Sequence, residues 1–118
     1  EELIYLDEFN VETGYKGAGV LLEKHKDIDG IVCGNDLIAI GALDMLRENN
    51  IRVPEDIKVI GLDNIYLSNF TNPKLSTMEQ PTLEVGKTAA NMLIDFIKDG
   101  KPLYDCILDH KYIQRESV

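Results

Sequence analysis

The sequence predicts an α/β protein with a mainly parallel sheet flanked by helices, and three observations carry that prediction. Two short apolar runs, Ile31–Cys33 and Lys58–Leu62, are each bounded by turn residues. Between them lies a helix-length apolar segment, Leu37 to Leu46, followed by Arg47-Glu48-Asn49-Asn50 and a Val53–Asp56 turn containing Pro54. Strand, helix and strand in that order make a βαβ unit, whose crossover brings the chain back so that the strands run parallel. Finally, the polar pairs Asn35–Asp36 and Asp63–Asn64 follow the two runs directly. Both then fall just past the carboxyl ends of neighbouring strands, where open α/β sheets bind ligands.

Composition narrows the class. At 118 residues, with 44% hydrophobic and 28% charged residues, the chain has the make-up of one ordinary globular domain at most. Its net charge of −9, with Lys and Arg dispersed, argues against direct contact with nucleic acid, which needs clustered cations. No apolar run reaches the roughly 18 residues of a membrane span. The start, Glu1-Glu2-Leu3-Ile4-Tyr5, lacks the regions of a signal peptide and reads as a chain cut into at a strand. Cys33 and Cys106 show neither CxxC spacing nor a His/Cys cluster, so both are expected to be buried free thiols in a reducing cytoplasm, with no metal.

In chain order, Leu3–Leu6 is short and apolar and reads as a strand, with Asp7-Glu8-Phe9-Asn10 as the loop at its carboxyl end. Gly14–Lys26 places Tyr15, Ala18, Leu21, Leu22 and His25 at helical spacing. Its glycines at 14, 17 and 19 form GxxGxG with no Lys-Ser/Thr after it, so the phosphate-loop pattern fails. Close packing of a helix on a sheet accounts for them better. His25 lies near the helix end, where a cation suits the dipole, and carries no catalytic role.

In the central unit, Asn35 or Asp36 can cap the helix, which leaves the other to face a ligand. Ile38, Ala42, Met45 and Leu46 face the sheet, while Leu37, Ile40 and Leu43 make the helix apolar on further sides. Such a helix is buried twice, and a subunit interface is a reasonable second partner. The loop from Asn64 to Pro73 carries aromatics of the kind that line a pocket or an interface. Leu75–Met78 is a strand stopped by Gln80-Pro81. Thr82–Asp99 is a helix with the stripe Val85, Ala89, Met92, Leu93 and Phe96, closed by Gly100 and Pro102. Two short strands, about Cys106–Leu108 and Lys111–Gln114, end the chain.

NDLIAIGALDML, VPEDIKVIGLDN, PKLSTMEQPTLEVGKTAANMLIDFI and the closing IQRESV resemble, in order and spacing, the carboxyl-terminal half of the lactose-repressor (LacI/GalR) family. DEFNVETGYKG resembles the loop and helix that precede these motifs. The resemblance implies a periplasmic-binding-protein-like fold with helices on both faces of the sheet, present in part. It implies an effector-binding and dimerising piece of a bacterial regulator whose helix-turn-helix headpiece, the only part to touch DNA, is not in this sequence. The expected division is a carboxyl-terminal lobe over 1–79, a crossover helix over 80–105 that in relatives belongs to the other lobe, and final strands over 106–118.

Residue by residue, the resemblance implies that Asn35 and Asp63 hydrogen-bond hydroxyls of a sugar-like or nucleoside-like effector and that Phe9 lies against its ring. It places Ile40, Phe70 and Thr71 in a homodimer interface and Gln80 at a hinge. Leu62 stands where many relatives have an aromatic. Each ligand residue also has a plainer reading: Asn35 as a cap, Asp63 as a turn residue, Phe9 as core. No cofactor and no membrane contact are implied, and the expected location is the cytoplasm.

A transport-type solute-binding protein of the same fold is the alternative function. An enzyme would need a nucleophile–base pair or a metal cluster, and His25 and His110 are poorly placed for one. With the first βα unit of the lobe and the other lobe missing from the sequence, the Leu3–Leu6 and Ile31–Cys33 strands and the Thr82–Asp99 stripe are expected to be covered. Either the helix and last strands fold back over the sheet, or a second copy packs on it.

Overall fold

A four-stranded sheet organises the molecule, with Gly30–Val32 (β1), Lys58–Leu62 (β2), Ser76–Glu79 (β3) and Lys111–Ile113 (β4) side by side in chain order. The computed structural model describes residues 3–118. β1 and β2 run parallel with Val32 opposite Ile60, and β2 and β3 run parallel with Leu62 opposite Met78. The helices are Val11–Lys24 (α1), Asp36–Glu48 (α2) and Thr82–Asp99 (α3), with a short 3-10 helix at Tyr66–Asn69. The chain divides into two compact units, Glu1–Glu79 with Tyr112–Val118, and Gln80–Lys111.

The first unit holds the core. α2 supplies Ala39, Ala42, Leu43, Met45 and Leu46, and the sheet side adds Cys33, Ile57, Val59 and Leu75. Small residues dominate where α2 meets α1, because the two backbones nearly touch. A Cβ on Gly14 would overlap the Ile38 carbonyl, and one on Gly41 the Val11 carbonyl. Gly14 of α1 therefore serves a helix–helix contact, and Gly17 makes room for the Tyr5 ring, rather than the helix–sheet contact the sequence suggested. Part of the burial of α2 is helix on helix, with Gly14 of α1 against Ile38, which the sequence assigns to the sheet side, and Gly41 against the Val11 carbonyl.

Helix starts follow cap chemistry. Asn10 Oδ1 accepts from the Thr13 N–H at 2.8 Å, so α1 begins at Val11, ahead of the expected Gly14. Asn35 Oδ1 does the same for Ile38 N–H at 2.9 Å.

Several expectations fail for identifiable reasons. Leu3–Leu6 is not a strand: among the described residues β1 is the sheet edge and the segment forms no ladder with it, and Leu6 stays 88% exposed. Tyr5 instead lays its ring against Gly17. Cys106–Leu108 is irregular chain, and Cys106 is exposed, not buried. Within the second unit α3 has no buried residue. The segment carrying Tyr104, Cys106 and Leu108 runs along Val85, Ala89 and Met92 and brings only Met92 of these three to half-burial. Val85, Leu93 and Phe96 remain about half exposed in the single chain, which leaves a second copy as the cover the sequence reading also names. α3 ends as its sequence indicates, with Gly100 left-handed at φ 64° and its N–H on Phe96 O.

Candidate functional site: the carboxyl edge of the sheet

Cys33 N–H donates to Ile60 O at 2.9 Å, which extends the β1–β2 pairing beyond Val32. Counting on from Val32 opposite Ile60, Asn35 and Asp63 each lie about three residues past the paired positions. The two residues named from the sequence therefore stand level at the carboxyl edge of adjacent parallel strands. Phe9 joins them there: a Cβ on Gly34 would lie 3.1 Å from its ring. The ring is 68% exposed, so Phe9 is not ordinary core.

Asn35 is half-buried and spends its Oδ1 on the helix cap, while its Nδ2 has no partner among the described residues. That amide can donate to a ligand hydroxyl. Asp63 is exposed at φ 107°, a backbone form rare for a residue with a Cβ, and its N–H donates to Met78 O at 2.9 Å. Holding such a conformation costs on the order of 1–3 kcal/mol, and strain of this kind collects at functional sites. An amide donor, a carboxylate and an exposed aromatic face make a set suited to a neutral, hydroxyl-rich ring.

The sequence left open which member of Asn35–Asp36 faces the ligand. Asp36 does not, because it is fully buried and turned inward. Oδ2 accepts from Ile65 N–H at 2.9 Å and Ser68 Oγ at 2.5 Å, and Oδ1 accepts from Thr77 Oγ1 at 2.6 Å. Gly61 makes room for it, since a Cβ there would collide with Oδ1. One carboxylate thus ties the first residue of α2 to the loop after Asp63, the 3-10 helix and β3. Sequence reading missed this network, although a glycine inside the β2 run is the signal that something approaches the strand closely.

Asn64, at φ 53°, is held from two sides. Its Nδ2 donates to Glu79 Oε1 at 2.9 Å, and its Oδ1 accepts from Arg115 Nη2 at 2.6 Å. The closing segment is itself anchored, because the buried Ser117 donates from Oγ to Val59 O at 2.6 Å and accepts from Ser76 N–H at 2.8 Å.

The residues expected at an interface are placed as follows. Tyr66 and Phe70 pack their rings 4.8 Å apart and are 77% and 66% exposed, with Leu67 beside them in the chain. Thr71 Oγ1 donates to Ser68 O at 3.3 Å, and Ile40 is half-buried on α2. Gln80 is the first residue of the second unit.

For other chemistries the site offers little. Burial pushes the Cys33 thiol up to about 12, with Asp36 adding to the rise, so it is not a thiolate nucleophile at neutral pH. Among the described residues no group of His, Cys, Asp and Glu is placed to hold a metal ion. No helix among them is long and apolar enough to cross a membrane.

Comparison with known proteins matches this architecture. A family model described as a periplasmic binding protein-like domain matches residues 1–118. The HTH-type transcriptional regulator RegA of Clostridium saccharobutylicum is 40% identical over 99% of the chain and 36% of its own length. The structure of the transcriptional regulator CelR in complex with cellobiose superposes with a TM-score of 0.91 at 29% identity, over 100% of this chain and 36% of that one. A LacI-family transcriptional regulator from Arthrobacter sp. FB24 in complex with lactose gives 0.81 at 36% identity, over 93% of this chain and 42% of that one. The chain spans about a third of the length of the curated relatives it matches.

Proposed function

Since the chain belongs to the periplasmic binding protein-like domain family, in the form that LacI-family transcriptional regulators carry, we propose that it senses a small hydroxyl-rich effector for such a regulator. The observation that carries this reading is the level placement of Asn35 and Asp63 at the carboxyl edge, with the exposed Phe9 ring beside Gly34. In the proposal, Asp63 accepts hydrogen bonds from effector hydroxyls, the Asn35 amide donates to another, and Phe9 covers the apolar face of the ring. The relatives bound to cellobiose and lactose support a sugar over a nucleoside.

The same reading has the protein form a homodimer in the cytoplasm, through the exposed Tyr66–Phe70 patch with Thr71 and Ile40, and gives Gln80 the part of hinge. DNA contact belongs to a headpiece outside this sequence, which agrees with the net charge of −9. Catalysis has no part in the reading.

Calorimetry of the full-length protein against a panel of mono- and disaccharides and nucleosides tests it. Asp63→Asn is expected to weaken the binder by about 1.5–3 kcal/mol, the scale of a hydrogen bond to a charged group. Unchanged affinity with the fold intact refutes the assignment.

A further inference from the structure

Asp63 and Asn64 are consecutive non-glycine residues at positive φ, 107° and 53°. Such a pair does not hold itself, because both residues have lower-energy conformations nearby. Beside the Asp63 N–H on Met78 O, the pair is held by the Asn64 side chain, whose amide donates to Glu79 and accepts from Arg115. Its backbone N–H points to Thr77 Oγ1 at 3.3 Å. Arg115 is in turn immobilised, with Nη1 donating to Leu75 O at 2.6 Å and its backbone N–H to Ser76 Oγ at 2.8 Å. A primary amide is the group that joins a guanidinium to a carboxylate in this way, since it offers an acceptor and a donor in one plane. An aspartate there would set its carboxylate against Glu79.

We infer that Asn64 is the positioning residue for Asp63: the Arg115–Asn64–Glu79 clamp holds the Asp63 backbone in its left-handed form at the edge of the sheet. The clamp also reaches the connections of the unit. Glu79 is the last residue before the chain leaves the first unit, and Arg115 follows soon after it returns at Tyr112. Both connecting segments are therefore tied, through one amide, to the neighbour of the proposed effector carboxylate. This deepens the reading of Asp63 as an effector contact, and its affinity arm rests on that reading.

The test uses the full-length protein with Asn64→Gly, which accepts positive φ without strain and deletes both side-chain ties. Arg115→Met and Glu79→Ala cut the clamp from either side. Amide hydrogen exchange at Asp63 is expected to rise at least tenfold in all three, while the core amides of α2 keep their protection. Unchanged exchange at Asp63 overturns the clamp, whether or not any ligand binds. Calorimetry with cellobiose and lactose as probes forms the second arm. For a sugar that the unaltered protein binds, Asn64→Gly is expected to lose tenfold or more in affinity, and Glu79→Gln, which still offers an amide oxygen, to retain it. In an Asp63→Asn background the Asn64→Gly loss should shrink toward nothing. An equal loss in both backgrounds shows that Asn64 does not act through Asp63 and overturns the inference. If neither sugar binds the unaltered protein, the effector reading fails for these sugars and the exchange result alone decides the clamp.

Discussion

Replacing Asp36 tests the network beneath the site. Asp36→Ala leaves three donors without their acceptor: the Ile65 N–H and the hydroxyls of Ser68 and Thr77, the last two fully buried. An orphaned buried donor costs about 1–3 kcal/mol, with hydroxyls toward the lower end because they can rotate. Added to the small cavity left beside Gly61, the expected loss is about 3–5 kcal/mol, in line with removing one partner from a buried charged group. Asp36→Asn keeps the shape and can still accept from Ile65 and Ser68 through its one oxygen. It presents an NH2 to Thr77, whose hydroxyl must then turn elsewhere, so the expected loss is about 1–2 kcal/mol. Urea unfolding followed by circular dichroism measures both, with an unchanged m-value showing that the unfolded state is not what moved. In a double-mutant cycle, Ser68→Ala and Asp36→Ala should couple by about 0.5–3 kcal/mol. If Asp36→Ala costs less than about 1 kcal/mol, the carboxylate does not bear the structural role its hydrogen bonds suggest.

Other outcomes follow from the same geometry. Gly41→Ala places a Cβ on the Val11 carbonyl and should cost about 1–3 kcal/mol or more in thermal unfolding, whereas Gly86→Ala, which meets nothing within 4 Å on α3, should gain about 0.5–1 kcal/mol. Iodoacetamide should alkylate the exposed Cys106 quickly and Cys33 only on the unfolding timescale, read by mass spectrometry. The Cys33 thiol titrates at about 12 in the folded protein and near 9.0 when unfolded. Between those values the folded state holds a proton the unfolded state has released, so the Cys33 contribution to stability is constant below about pH 9 and falls as pH rises toward 12, a difference from the unaltered protein that Cys33→Ala should reveal. Phe70→Glu should shift sedimentation of the full-length protein toward monomer at micromolar concentration if the Tyr66–Phe70 patch joins two copies.

The fold was legible where one local signal dominated. The bounds of α2, β2 and α3 follow from a capping residue, a Pro-containing turn, or a Gly100 stop, and each emerges as read. β1 and β3 are displaced by one residue although Gly30 and Gly34 flank the first run and Pro81 follows the second, so turn residues bound a strand without fixing which residue ends it. The periodic residues of α1 begin at Gly14, while the physical start is the cap at Asn10, whose side chain holds the Thr13 amide. Leu3–Leu6 shows the opposite limit. Its composition suits a strand, but a strand exists only beside another strand, and no local pattern says whether the neighbour is there. α3 is the same lesson in helical form: an amphipathic stripe records that a face is fit for burial, not that anything lies on it.

The site was legible to the level of pairs but not of members. Asn35–Asp36 and Asp63–Asn64 follow parallel strands in register, so equivalent members stand at equivalent heights. In both pairs the first residue remains at the edge and the second is drawn into the protein. Asp36 is taken by Ile65, Ser68 and Thr77, and Asn64 by Arg115, Glu79 and Thr77. Residue type does not reveal this, because the edge member is the amide in one pair and the acid in the other. What decides is the supply of partners. Asp36 sits opposite two hydroxyls and an N–H and can be an acid because all three donate. Asn64 sits between a cation and an anion and must be an amide because only one of them donates. Those partners come from β3, the 3-10 helix and the closing segment, separations over which a sequence carries no local pattern. The inward members therefore become visible only in the fold, and they are what give the outward members, Asn35 and Asp63, a fixed place from which to meet a ligand.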